Sequence, residues 1–123
     1  MHPVFAFALV FFGGGLGSVC RYGLWLWLQP MLPRFPFATL AANAAACLVL
    51  GLLTGFQLKN ELAAQHRLLL ATGFCGGFST FSTFTAETWQ LAQNGHAATA
   101  LGNVLLNLAA CFACFFLGMK LAQ

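Results

Sequence analysis

The segment from Leu68 to Leu91 is long and apolar enough to cross a bilayer, yet its middle reads Gly73-Phe74-Cys75-Gly76-Gly77-Phe78-Ser79-Thr80-Phe81-Ser82-Thr83-Phe84. A plain membrane helix carries Leu, Ile and Val there. This one has three glycines within five residues, then hydroxyls interleaved with rings. A glycine costs a helix interior about 1 kcal/mol against alanine, which predicts a helix broken near Gly76-Gly77. Opened backbone at membrane depth finds no water, so it persists only buried in protein or lining a watery cavity. Broken helices of this kind form ion sites, with freed carbonyls facing cations and half-helix N-termini facing anions.

The rest of the chain agrees with a membrane setting. Of its 123 residues 60% are hydrophobic and 6% charged, against about 25% charged in a soluble domain. A spanning helix needs about 20 apolar residues, so the length allows four spans with short loops and no catalytic lobe. We therefore expect an all-α, single-domain membrane protein (residues 1–123) that is not an enzyme, with spans at about 4–28, 37–58, 68–91 and 97–121. The first span has no Lys or Arg before it and is long for a signal peptide, so it reads as retained. The net charge of +3 is scattered, and no basic cluster would hold nucleic acid. Cys20, Cys47, Cys75, Cys111 and Cys114 all fall in apolar spans and are odd in number, as small buried hydrophobes rather than a disulfide framework would be.

Several polar residues stand out against this background. In the first span Gly13-Gly14-Gly15 and Gly17 make a close-packing face, and Arg21 follows within the apolar run. An arginine at the bilayer centre costs about 3 kcal/mol unless it snorkels or meets water. Both resolutions are open, and the second would put Arg21 in an anion-attracting vestibule. The second span holds Asn43, either interhelical glue or a donor to something passing. Glu87 lies late in the third span. In the fourth, Asn103, Asn107 and Cys111 recur every four residues and so share a stripe, as glue or as a polar track. Lys59, Arg67 and Lys120 on one side against Arg34 on the other is a weak orientation signal, compatible with insertion both ways up and with antiparallel homodimers.

Phe81 and Phe84 are three apart on one helical face, and a ring presented edge-on is electropositive toward a small anion. Ser79, Thr80, Ser82, Thr83 and Asn43 add donors for an anion losing its water. Fluoride holds water most strongly among the halides, and several weak sites suit its conduction better than one strong site.

Gly13-Gly14 with Gly17 and Arg21, then Thr39-Leu40-Ala41-Ala42-Asn43, then the Gly73 to Phe84 stretch resemble the CrcB/Fluc fluoride channels, in order and along the whole chain. The resemblance implies passive export of fluoride that relieves its toxicity, by a dual-topology antiparallel homodimer in the bacterial inner membrane. It implies fluoride pathways using Asn43, Phe81, Ser82, Thr83, Phe84, Asn103 and Asn107, with Arg21 at a vestibule and Glu87 near the opposite mouth. It also implies a structural sodium ion at the dimer centre, held by backbone carbonyls of Gly76 and Ser79. The fourth-span stripe departs from the family, where a tyrosine and serines are expected.

Two other classes compete. A small proton-coupled multidrug exporter wants a carboxylate in its first span, and this one has none. A non-transporting assembly subunit would use the glycines and hydroxyls only for packing, and would tolerate leucine at Phe81 or Phe84. On the channel reading, Asn43→Ala or Phe81→Ile abolishes flux and leaves the dimer intact.

Overall fold

A computed structural model describes all residues from Met1 to Gln123. It is entirely helical. Helices α1 (Pro3–Leu28), α2 (Phe37–Leu58) and α6 (Ala97–Leu121) are each long and apolar enough to cross a membrane. Between α2 and α6 runs a composite segment. It comprises α3 (Ala64–Arg67), a π-helical stretch (Leu68–Cys75), α4 (Gly76–Phe78) and, after an interruption, α5 (Phe81–Gln93).

The boundaries follow local chemistry. Pro3 opens α1, where its missing N–H costs nothing, and the His2 side chain accepts the Val4 N–H. Pro30, Pro33 and Pro36 keep the first loop from helix, and α2 starts immediately after. Asn60 at φ 57° and Gly95 at φ 82° supply the left-handed residues that let loops two and three turn.

Glycine contacts give the packing order. A Cβ on Gly13 would collide with the Leu69 carbonyl, and one on Gly17 with the Phe74 carbonyl and, at 2.7 Å, the Phe78 nitrogen. Residue numbers rise together along this contact, so α1 and the composite segment run parallel. In the same way α2 and α6 run parallel, with Gly51 against the Phe115 carbonyl and Gly55 against the Met119 carbonyl and Ala122. Backbones this close are how helices gain dispersion energy where the solvent is as apolar as leucine. The composite segment changes partner at its interruption: the π-helical stretch and α4 lie on α1, whereas α5 lies on α6.

The interruption is not where the glycines suggest. Gly76 is helical, at φ −62° and ψ −38°, and the chain turns extended only at Ser79 (ψ 156°) and Thr80 (φ −152°, ψ 115°). The reason is packing. A Cβ on Gly77 would strike the Gly14 carbonyl, so Gly77 is required for approach to α1 rather than for opening the helix. The π-helical stretch just before it, in which the Gly76 N–H reaches back to the Ala71 carbonyl, has no counterpart in the sequence reading.

Candidate functional site

Extended backbone at Ser79-Thr80 strands amides and carbonyls that a continuous helix would pair. Asn43, from the second turn of α2, takes both groups of Thr80. Its Oδ1 accepts the Thr80 N–H at 2.7 Å, and its Nδ2 donates to the Thr80 carbonyl at 3.2 Å. The Thr80 hydroxyl in turn accepts the Thr83 N–H at 3.1 Å, capping α5. These diversions have a consequence upstream. The amides four residues beyond Gly76 and Ser79 are those of Thr80 and Thr83, and both are given to side chains. The Gly76 and Ser79 carbonyls thus lose their ordinary helical partners.

A line of amides continues from Asn43. Its Nδ2 approaches Asn107 Oδ1 at 3.5 Å, and Asn107 Nδ2 donates to both the carbonyl and Oδ1 of Asn103, at 2.8 and 2.9 Å. Asn103 Nδ2 donates to the Thr88 hydroxyl at 2.9 Å, and Thr88 donates to the Phe84 carbonyl at 2.7 Å. Asn103 is 1% exposed and all but enclosed by these partners. It ties α6 to α5 and lies outside the cavity that Asn107 lines.

Asn43, Ser79, Thr80, Phe81, Phe84 and Asn107 line one cavity of about 270 Å³, together with Cys47, Leu108, Cys111 and Phe112. The Phe81 and Phe84 rings are 5.6 Å apart between centroids and tilted by 57°. Phe81 is 79% exposed on the outside of the chain. Thr83 lines a smaller neighbouring cavity with Arg21, Thr39 and Thr80, and the Ser82 hydroxyl lies 3.3 Å from that of Thr80 at the exposed edge of the interruption.

Arg21 does not simply snorkel. Its Nε donates to the Gly77 carbonyl at 3.1 Å, beside the interruption, and its other donors make no bond within the chain. The one ion pair, Lys59 with Glu61 at 3.8 Å, lies in loop two, so Arg21 faces its cavity with its charge uncancelled. Glu87 stands beside Thr39, in a polar cavity of about 140 Å³ with Gln29, Arg34, Gln90 and Asn94. One oxygen of Glu87 and the side-chain oxygen of Gln29 are buried there without a partner. Buried oxygens of that kind ordinarily bind water, for which this cavity has room. Arg21 and Glu87 both neighbour Thr39, on the half of the chain bearing loops one and three. Within one chain the two residues therefore share a half. The C-terminal ends of two parallel helices necessarily point the same way.

Residues 8–119 match the family model described as CrcB-like protein, Camphor Resistance (CrcB). The chain belongs to the CrcB family. Among similar CrcB proteins, the fluoride-specific ion channel FluC of Pyrococcus furiosus is 44% identical over 117 residues, covering 94% of each chain. FluC of Erythrobacter litoralis is 39% identical over an alignment taking in all of this chain and 96% of its own. FluC of Klebsiella pneumoniae is 45% identical over 105 residues, 85% of this chain and 83% of its own. With its apolar crossings, this CrcB chain is a multi-pass membrane protein.

Two residues central to this geometry stand out little in the sequence. Thr80 is one hydroxyl among several there, although a threonine ahead of a helical run is the usual sign of an N-cap. Thr88 had no such signal, because its role depends on Asn103 arriving from another helix.

Proposed function

We propose that this chain is a passive, fluoride-selective channel of the plasma (inner) membrane, which lets fluoride leave down its gradient and so relieves fluoride toxicity. The observation that carries the reading is the near end-to-end alignment with proteins named fluoride-specific ion channel, at identities around 40%. No catalytic step is involved. An anion is drawn toward the uncancelled charge of Arg21 and exchanges water for Asn43, Asn107, the hydroxyls near Thr80 and the ring edges of Phe81 and Phe84. Each contact is weak and replaceable, as conduction requires. Asn103 acts as a positioning residue that aims the Asn107 amide. The polar cavity around Glu87 is a hydrated mouth.

A homodimer supports this reading physically. Asn43, Ser79, Thr80 and Asn107 open toward one side of the chain, where lipid would leave their polar atoms unmatched. A second, antiparallel copy would close that side and give the exposed Phe81 ring a protein neighbour. Sodium fits the same arrangement, since Gly76 and Ser79 offer carbonyls freed of their helical amides, and two copies would supply four oxygens with no carboxylate. Bound there, sodium would neutralise facing carbonyl dipoles at the dimer centre. The exporter alternative has no support here, because Glu87 lies at a rim and α1 carries no acid.

Expression in cells deprived of their own fluoride export tests the proposal. Growth in fluoride should be restored, and growth at matched chloride should be unchanged. Correctly inserted protein that leaves the cells fluoride-sensitive contradicts it.

A further inference from the structure

The five cysteines are not spread evenly through the fold. Cys47 of α2 and Cys111 of α6 line the same spaces, while Cys75 shares a different cavity with Cys47, and Cys114 follows Cys111 by three residues on α6. Cys47 and Cys111 share two cavities. One is the 270 Å³ space that also holds Asn43, Phe84 and Asn107; the other is an adjoining apolar space of about 320 Å³ against Phe112 and Phe115. Both thiols are partly open to these spaces, and Cys75 is buried. Cys111 follows Asn107 by one turn of α6, so a group bound on its sulfur lies in line with the amides of Asn43 and Asn107.

No three His, Cys, Asp or Glu side chains converge on a possible metal site. A tetrahedral zinc centre is thereby out of reach, since it needs three or four such ligands. Two thiols are enough for a soft d10 ion, which favours sulfur and accepts two ligands in line. We propose that Cys47 and Cys111 together bind one soft, two-coordinate metal ion of the Cu(I), Ag(I) or Hg(II) class, and that its occupancy obstructs the cavity. The obstruction half rests on the channel reading; the binding half does not. With mercuric chloride, each thiol gives its proton to solvent and its sulfur lone pair to the metal. Two chlorides leave, and no electron changes hands. Mercuric chloride is uncharged, so it reaches thiols at membrane depth.

The test is titration of the full-length, detergent-solubilised chain with mercuric chloride, reading thiolate-to-mercury ultraviolet absorption together with loss of free thiols. The first equivalent should consume two thiols per chain. Cys47→Ser and Cys111→Ser should each abolish that step, and a chain with Cys20, Cys75 and Cys114 all changed to alanine should keep it. Consumption of one thiol per metal overturns the site, as does a first step lost with Cys75→Ala or surviving both serine variants. In liposomes, one equivalent should lower fluoride efflux by about tenfold or more, and leave Cys47→Ser at its own untreated rate. Stoichiometric binding with undiminished efflux overturns the obstruction. A chain that passes no fluoride before metal is added refutes the channel reading, and the titration still decides the site.

Discussion

Replacing Asn43 with alanine should weaken the fold itself, not only the passage of an ion. The side chain makes the two bonds that complete Thr80, at 2.7 and 3.2 Å, and the approach to Asn107 at 3.5 Å is too long to add much. Truncation orphans one amide and one carbonyl, each worth about 1–3 kcal/mol when buried. Thr80 is half-buried beside a cavity that water can enter, so the lower part of that range applies, and we expect a loss of about 2–3 kcal/mol. Asn43→Asp should not rescue it, because its second oxygen would face the Thr80 carbonyl. Unfolding in detergent, followed by fluorescence of Trp25, Trp27 and Trp89, measures the difference. An Asn43→Ala chain within about 0.5 kcal/mol of wild type would refute the claim that this amide completes the interrupted helix. Because Asn43 also bonds Thr80, flux lost in Asn43→Ala would mix stability with ion contact rather than report an intact dimer alone.

Other expectations separate packing from passage. Gly17→Ala should destabilise by about 1–3 kcal/mol, since its Cβ would press on backbone at Phe74 and Phe78, whereas Gly15→Ala, which meets nothing within 4 Å, should gain up to about 1 kcal/mol in the same unfolding assay. A double-mutant cycle on Thr88→Val and Asn103→Ala should give a coupling of about 1 kcal/mol, and additive effects would deny the bond between them. Phe81→Ile, at a ring 79% exposed, should leave the stability of the single chain almost untouched and abolish fluoride flux; normal flux would remove the rings from the pathway. Removing sodium should loosen the dimer without altering the helices of each chain, as size-exclusion and circular dichroism in sodium-free buffer would reveal.

Hydropathy alone carried the long helices, because burying apolar side chains in lipid is a property of composition over twenty residues. It also marked Asn43 and Asn107, since polar residues in an apolar run are few and each needs a reason, while the spacing of Phe81 and Phe84 among hydroxyls marked the rings that meet them at one cavity. The position of the interruption was misread for an equally physical cause. Glycine serves both open backbone and close approach, and only the partner helix decides between them; for Gly77 that partner is Gly14. Asn103 and Asn107 look identical on a helical stripe. They differ because Thr88 reaches one and a cavity the other, a distinction made by helix rotation. The placement of Glu87 on the same half as Arg21 could have been had by counting crossings.

The most direct measurement is ion efflux from liposomes reconstituted with the purified chain, recording fluoride and chloride in parallel with and without a proton gradient. The account predicts rapid release of fluoride alone, indifferent to the gradient. Release of chloride at a similar rate, release that requires the gradient, or no release from well-folded protein would each contradict it.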